Sequence, residues 1–293
     1  KVGCVGNSTA ATAAARTDSP GTTTAVETWD GTNWTEVSEL TTNRTRTSGA
    51  GTLTDGIIAA GGPPNSALTE QWNGSVWTEV GDVGTARHEA AGAGTGAAAF
   101  IAGGYTTTVV ATTEEWTTTP AADFTQINLG QVYYNSTSNA YKVTEQAVPT
   151  GSWASGGSLN TGRNGGGSAG TTQNTGLAFG GSGPSALTES YNGTSWTEVN
   201  DLNTARNEGS RGMGGTQTSA LMVGGAPSPT FTESWNGTSW TEITDINTGR
   251  KASMIAATSN TSGMIMGGEP PPTFSVDTEV WNGTAWTEVN NLN

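Results

Sequence analysis

A motif of about twelve residues that contains two tryptophans recurs along the chain and constrains its fold more than any other feature. The clearest copy is TESWNGTSWTEI at 232–243, and variants lie at 27–37, 69–80, 188–199 and 278–289, with a partial copy, TEEW, at 113–116. Two runs of Thr, Trp, Val and Glu flank Asn-Gly or Asp-Gly, which is typical of a β-hairpin. The two tryptophans are five residues apart. On paired antiparallel strands they therefore share one face, which requires an apolar partner.

The loop length decides how the two indoles of a hairpin meet. A four-residue loop would place Trp235 directly opposite Trp240, whereas a two-residue Asn-Gly loop would make them diagonal neighbours. In the Asn-Gly copies we expect the turn to depend on residues that accept a positive φ. Two aromatic residues in nearly every unit indicate a core between units in preference to a row of open carbohydrate-stacking platforms.

The composition narrows the classes of protein that this chain can belong to. Among its 293 residues, 43 are glycine, and 25 acidic residues against 11 basic ones give a net charge of −14. Nucleic acids and anionic membrane surfaces are recognised through Lys and Arg, so both partners are disfavoured. No apolar run is long enough to span a membrane. The single cysteine, Cys4, excludes an intramolecular disulfide and a cysteine-rich zinc site.

The chain divides into six repeated units. One arginine per unit marks the period, with spacings of 43, 76, 43 and 44 residues between successive arginines. Each unit has a Gly/Ala-rich segment, a small apolar run that usually ends in Gly-Gly, and then the tryptophan hairpin, so it predicts four short strands. We place the units at about 1–40, 41–83, 84–159, 160–202, 203–246 and 247–293. The arginine of the first unit would precede Lys1, so we expect a segment upstream.

The third unit carries an insertion at about 118–150, between its two tryptophans. Within it, GQVYYNSTSNAYKV at 130–143 has Val/Tyr-rich arms around a polar tip and predicts an extra hairpin that protrudes from the blade. Because this segment is not repeated, Tyr133, Tyr134 and Tyr141 are candidate contacts for a glycan or a protein partner. The alternative is a hairpin that packs only on itself.

Four short strands that cannot bury an aromatic face alone should stack radially. This predicts an all-β, six-bladed β-propeller of four-stranded antiparallel blades in a single domain. The order of Arg, Gly-Gly, an aromatic residue and then Trp resembles the kelch repeat in five of the six units. The one Trp-Asp pair, Trp29-Asp30, stands where other copies have Trp-Asn or Tyr-Asn, which argues against WD40 repeats. In a kelch-like order, the last and first blades of this chain would exchange no strand.

A second resemblance is to the Thr-, Gly- and Trp-rich repeat proteins of tailed, especially marine, bacteriophages, which occur in tail fibres and other virion appendages. WNGTSWTEV with NDLNTAR carries this likeness, and GQVYYNSTSNAYKV is similar to short hairpins in phage fibre sequences. The resemblance implies an extracellular location on the virion surface, with host-surface glycan or other virion proteins as partners. The NGT triplets at Asn192, Asn236 and Asn282 are then turn residues and not glycosylation sites.

One arginine per unit is the most suggestive candidate for a binding site. These residues would lie at one mouth of the central channel, where each outer strand returns to the next inner strand: Arg44, Arg87, Arg163, Arg206 and Arg250. Guanidinium groups bind carboxylates and sulfates bidentately, so the ring could dock an acidic glycan, with Arg46 and Arg211 close by in sequence. The alternative is that each arginine pairs with an acidic side chain or a backbone carbonyl of a neighbouring blade. One arginine per repeat favours this structural alternative.

Catalysis has little support in the sequence. The single histidine, His88, has no second histidine or cysteine as a partner for a metal site, and no nucleophile elbow or phosphate loop is present. We therefore expect no cofactor and a non-enzymatic structural or binding propeller. A first alternative is a purely structural subunit that forms homo-oligomers through the 118–150 insertion. A second is a glycan-cleaving enzyme, because sialidases also combine six blades with an arginine cluster, although their Asp-box pattern is absent.

Overall fold

The computed structural model describes residues 3–14, 17–18, 21–22, 24–62, 64–118, 132–135, 139–143, 151–269 and 275–292, and these residues are all-β. Four-stranded antiparallel sheets repeat along the chain, one for each sequence unit, and the last three are joined through their first strands into one twelve-stranded sheet. Within these ranges, no helix has the length and apolar character that crossing a membrane requires.

The strands of the first three sheets follow one another in chain order. The first sheet contains β1 (Gly3–Asn7) and β2 (Ala10–Ala14), then a short ribbon of β3 (Thr17–Asp18) and β4 (Gly21–Thr22) intervenes, and β5 (Val26–Trp29) and β6 (Trp34–Val37) complete the sheet. The second contains β7 (Ser48–Gly51), β8 (Gly56–Ala59), β9 (Thr69–Trp72) and β10 (Trp77–Glu79). The third contains β11 (Ala91–Gly94), β12 (Ala98–Ala102) and β13 (Thr113–Thr118), then the separate hairpin of β14 (Val132–Asn135) and β15 (Ala140–Val143), and finally β16 (Gly151–Ser155).

The last three sheets repeat this order. The fourth contains β17 (Gly167–Thr172), β18 (Thr175–Phe179), β19 (Thr188–Tyr191) and β20 (Trp196–Val199). The fifth contains β21 (Arg211–Thr216), β22 (Ser219–Val223), β23 (Thr232–Trp235) and β24 (Trp240–Ile243). The sixth contains β25 (Met254–Ser259), β26 (Ser262–Met266), β27 (Thr278–Trp281) and β28 (Trp286–Val289). The first strand of each sheet is the inner one, and β17, β21 and β25 also pair in parallel with one another.

The tryptophan hairpins have four-residue loops. Trp235 lies directly opposite Trp240, and their ring centroids are 5.4 Å apart. The Oδ1 atom of Asn236 accepts hydrogen bonds from the backbone nitrogens of Thr238 and Ser239, both at 2.9 Å. In this loop only Gly237 has a positive φ, at +93°. The expectation that both turn residues need φ > 0 is therefore wrong for the asparagine, which acts through its side chain.

Each aromatic pair packs against the preceding sheet. Trp235 and Trp240 form one buried cluster with Leu177 and Phe179 of the fourth sheet. The Nε1 atom of Trp240 donates a hydrogen bond to Oγ1 of Thr188 at 3.0 Å, which ties the fifth sheet to the fourth. The prediction that the indoles form the core between units is confirmed.

The same kind of interface joins the first sheet to the sixth. Trp29 and Trp34 cluster with Met254 and Met264 of the sixth sheet, and β1 contacts both β7 and β25. Among the described residues, β1 pairs with β2 and β28 pairs with β27, so the first and sixth sheets share no strand, as the kelch-like order predicts. The arrangement of the repeated sheets is propeller-like.

The hairpin loops give a first testable prediction. In the first unit, Asp30 replaces the asparagine and accepts the same two hydrogen bonds, at 2.8 Å each. We therefore expect Asn236→Asp to leave the free energy of unfolding within about 0.5 kcal/mol of the wild type. Asn236→Ala should lower it by about 1 kcal/mol, because two backbone donors lose their acceptor. Urea unfolding measures both variants, and equal losses would contradict this role of the side chain.

Candidate functional site

The five repeat arginines are buried and bound to glutamates of their own units. None of them is more than 4% exposed. The Nη2 to Oε1 distances are 2.9 Å for Arg44–Glu70, 2.8 Å for Arg206–Glu233 and 2.5 Å for Arg250–Glu279, and Arg87–Glu114 and Arg163–Glu189 pair in the same way. Each glutamate lies on the third strand of the unit that its arginine opens. The arginines therefore do not form an open docking ring, and their partners lie in the same blade and not in a neighbouring one.

Each glutamate connects the arginine to the link that enters its unit. In the fifth unit, the Oε2 atom of Glu233 accepts hydrogen bonds from the backbone nitrogen and the Nδ2 atom of Asn203, at 2.7 and 2.9 Å. Arg206 also donates to the carbonyl oxygen of Phe231 at 2.7 Å. Burial lowers the pKa of Arg206, and the negative charge of Glu233 offsets part of that shift. The guanidinium of Arg206 thus donates within its own unit. This favours a structural role for the repeat arginines over a docking site.

A ring of left-handed residues surrounds the start of the inner strands. The residue two positions after each repeat arginine has a φ between 49° and 67°: Arg46, Glu89, Gly165, Glu208 and Ala252. Backbone hydrogen bonds link neighbours in this inner ring, from Glu89 N to Arg46 O at 3.0 Å and from Gly165 N to Glu89 O at 3.1 Å. Because the repeat arginines are buried in ion pairs, the polar groups left to bind a ligand near the start of the inner strands are those of the inner ring and its neighbours.

The tyrosine hairpin presents the most exposed aromatic surface among the described residues. Tyr134 on β14 lies opposite Tyr141 on β15, with ring centroids 5.3 Å apart in an edge-to-face arrangement. Their exposed fractions are 52% and 77%. The hydroxyl of Tyr134 donates a hydrogen bond to Oδ1 of Asn139. Tyr133 occupies a position on β14 opposite Lys142, and its side chain lies outside the described residues. The remaining parts of the predicted insertion, 119–131, 136–138 and 144–150, also lie outside them.

A tyrosine of the fourth unit clamps the two strands between which the hairpin is inserted. Tyr191 stands where five other units have tryptophan and stacks on Trp196 at 4.8 Å. Its hydroxyl donates a hydrogen bond to Oε1 of Glu115 on β13, at 2.5 Å, and accepts one from the backbone nitrogen of Gly157 at 3.1 Å. These two residues lie on either side of the insertion in sequence. The change from TESW to TESY at 188–191 is the sequence signal for this clamp.

His88 and the two tryptophans that flank the insertion are held by contacts within the fold. His88 lies 5.4 Å from Tyr105 between ring centroids, and its Nδ1 atom is 2.6 Å from Oδ1 of Asn65. Trp116 and Trp153, on either side of the insertion, still form a direct cross-strand pair. Among the described residues, no group of three or more His, Cys, Asp and Glu side chains is placed to hold a metal ion.

The buried ion pairs give a second prediction. Arg206→Met should lower the free energy of unfolding by about 3–5 kcal/mol, because it leaves the Glu233 carboxylate buried without its cation. The double variant Arg206→Met/Glu233→Met should recover part of that loss. Arg46→Ala is the control, because the side chain of Arg46 is 33% exposed and its loss should cost less than about 1 kcal/mol. A loss below about 1 kcal/mol for Arg206→Met in urea unfolding would contradict the structural role.

The clamp gives a third prediction. Burial, together with the hydrogen bond to Glu115, raises the pKa of Tyr191 to about 12. The unfolded chain loses this proton near pH 10, so the stabilising contribution is complete below about pH 10 and disappears as the pH rises through about 12. Tyr191→Phe should therefore reduce the fall in the urea midpoint between about pH 10 and pH 12. The same pH dependence in the wild type and in Tyr191→Phe would exclude this contribution.

Comparison with known proteins identifies the fold and no family. No family model matches the chain, and no curated protein matches it. Among solved structures, 173 chains match. The structure of YjhT is similar with a TM-score of 0.66 and 12% sequence identity, over 99% of this chain and 97% of that one. At this identity the similarity concerns the fold alone, an all-β, propeller-like arrangement of repeated four-stranded antiparallel sheets.

Proposed function

We propose that this chain is a closed, six-bladed, kelch-like propeller that serves as a non-enzymatic binding module on the surface of a bacteriophage virion. In this proposal, the hairpin of the third blade contacts host-surface glycan, and the rest of the molecule is the rigid support. The exposed pair of Tyr134 and Tyr141 is the observation that carries it.

Closure of the ring is supported by the contacts between the first and sixth sheets. The aromatic pair of the first sheet packs on the sixth in the way that each later pair packs on its predecessor. At the rim, the Nδ2 atom of Asn290 donates a hydrogen bond to the carbonyl oxygen of Thr32 at 2.9 Å. A closed ring leaves no sheet face open, so a binding surface must come from a loop, a channel mouth or an added element.

The chemistry of the hairpin favours a sugar as the partner. Tyrosine combines an apolar ring face, which stacks on the C–H groups of a sugar, with a hydroxyl group that can form hydrogen bonds. Two tyrosines on facing strands form a small surface at low conformational-entropy cost. Tyr191 of the neighbouring sheet holds Glu115 and Gly157, which lie in sequence on either side of the insertion. The bacteriophage context of the proposal comes from the sequence resemblance of the repeats and of the hairpin.

The second candidate function is a structural subunit that joins copies of itself or other virion proteins. It is favoured by the two-stranded character of the hairpin, because β14 and β15 have no further strand partner among the described residues. Exposed strand edges can pair with another chain. The two candidate functions therefore use different surfaces of the same hairpin. Glycan recognition uses the tyrosine rings, and subunit assembly uses the strand edges.

A glycan array with the purified protein tests the proposal and gives a fourth prediction. We expect the wild type to bind one class of glycan and Tyr134→Ala/Tyr141→Ala to bind it at least about tenfold more weakly, as for aromatic hot-spot residues. Tyr141→Phe should retain binding, because it keeps the ring. Tyr105→Ala is a matched control, since this tyrosine is also exposed, at 37%, but lies outside the hairpin.

Two outcomes would overturn glycan recognition by the hairpin. One is binding that survives the double alanine variant. The other is the absence of glycan binding together with a concentration-dependent oligomer in analytical ultracentrifugation. An oligomer that dissociates when the 118–150 insertion is deleted would support the structural subunit. Release of sugar fragments during incubation would instead support a glycan-cleaving enzyme.

A further inference from the structure

The inner strand of the fifth sheet departs from the repeat. Four other inner strands begin four residues after the repeat arginine, whereas β21 begins five residues after Arg206. Its last two residues pair with β22, but 211–214 pair in parallel with β25 of the sixth sheet. β21 also contacts β1, β7 and β11, the inner strands of the first three sheets. The one-residue difference therefore places the start of β21 among the inner strands of the other units.

Arg211, the first residue of β21, is buried, and its guanidinium forms an ion pair but no hydrogen bond with the described residues. The side chain is 7% exposed, and its Nη2 atom lies 3.2 Å from Oε1 of Glu89. None of its three guanidinium nitrogens forms a hydrogen bond with a described residue. The repeat arginine Arg206, by contrast, donates to a carboxylate and two carbonyl oxygens. Buried donors without acceptors are unfavourable, so Arg211 is poised to accept an anionic partner.

The inner ring leaves space beside this guanidinium. Gly165 stands where the other described ring positions carry a side chain, and a Cβ built on it would lie 3.4 Å from Nη2 of Arg211 and 4.0 Å from Oε2 of Glu89. Arg46 also faces the Glu89 carboxylate, with 3.7 Å from its Nε to Oε1, and it is 33% exposed. Two guanidinium groups thus face one carboxylate next to a position without a side chain.

We propose that Arg211, Arg46 and the space at Gly165 form a binding site for a small oxyanion, either a carboxylate or a tetrahedral sulfate or phosphate group. The planar guanidinium fork suits both shapes and forms charge-assisted hydrogen bonds with them. The ligand would accept from Nε and Nη1 of Arg211, for which the described residues provide no acceptor. This site is independent of the tyrosine hairpin and of the glycan-binding proposal.

Anion binding to the intact chain is measured with sodium sulfate and sodium acetate as probes, at constant ionic strength set with chloride. We expect one or both anions to raise the melting temperature in a saturable way. They should also shift the Nε–H resonance of Arg211 in the wild-type NMR spectrum while that of the repeat arginine Arg206 stays in place. A response to acetate alone identifies a carboxylate site, and a response to sulfate identifies a tetrahedral one.

Two variants locate the site and give a fifth prediction. Arg211→Met should weaken anion affinity at least about tenfold, because it removes the charged donors. Gly165→Ala should weaken it by a similar factor while it keeps Arg211. The alanine is compatible with the backbone, because Ala252 holds the equivalent ring position with a φ of 51°. Lys251→Met is the control, since Lys251 is paired with Glu208 at 2.9 Å and should leave the affinity unchanged.

Three results would overturn the proposal. The first is no saturable response of the wild type to either anion. The second is an unchanged affinity in Gly165→Ala, which would place the anion elsewhere. The third is an equal loss in Lys251→Met, which would indicate a general charge effect. If Arg211→Met does not fold, the wild-type NMR titration and Gly165→Ala still decide the question.

Discussion

The burial of each aromatic pair against the preceding sheet is the interaction on which the other features of this fold depend. A single unit cannot hide two large rings, so its stability comes from its neighbours, as in other repeat proteins. The inner strands of neighbouring sheets approach one another closely, so they need residues with small side chains or none. A Cβ on Gly49 would lie 2.6 Å from the carbonyl oxygen of Cys4 in the preceding sheet, and one on Gly92 would lie 3.0 Å from Cβ of Ser48, also in the preceding sheet. The abundance of glycine and the small hydrophobic fraction therefore have a common cause in packing.

The buried ion pairs shape the surface as well as the blades. Five of the 11 basic residues are the repeat arginines, and their charge is directed into the blades towards glutamate. The exposed surface is therefore short of cations relative to the acidic total of 25. At the inner ring the remaining cations also have acidic partners, because Arg46 and Arg211 face Glu89 and Lys251 pairs with Glu208.

The sequence predicted what depends on local chemistry and periodicity. Residue patterns predicted that Trp235 and Trp240 share one face, that each unit has four strands in chain order, and that β14 and β15 form a hairpin. The patterns left open whether the two indoles lie directly opposite each other. It did not predict the partner of each arginine, because the third-strand glutamate, for example Glu233, meets it only after the sheet has formed. Nor did it predict the displacement of β21, because the linkers vary in length between units and one additional residue cannot be distinguished from that variation.

Departures from the repeat are where specific function can reside. A repeated position must satisfy the same neighbours in every blade, so its residue is fixed by packing, as for the tryptophans and the buried arginines. A position that differs in one blade has no such constraint. Tyr191, the tyrosine hairpin, Gly165 and Arg211 are all of this kind. Tyr191, the hairpin and Arg211 each add a polar or aromatic group that the other units do not have at that place, and Gly165 lacks the side chain of the other described ring positions. The first two act on the third blade, while the last two meet at the inner ring, so pseudo-symmetry is broken at two separate surfaces. A propeller-like fold of repeated four-stranded sheets thus differs from its own repeat at two separate places without a change in its core.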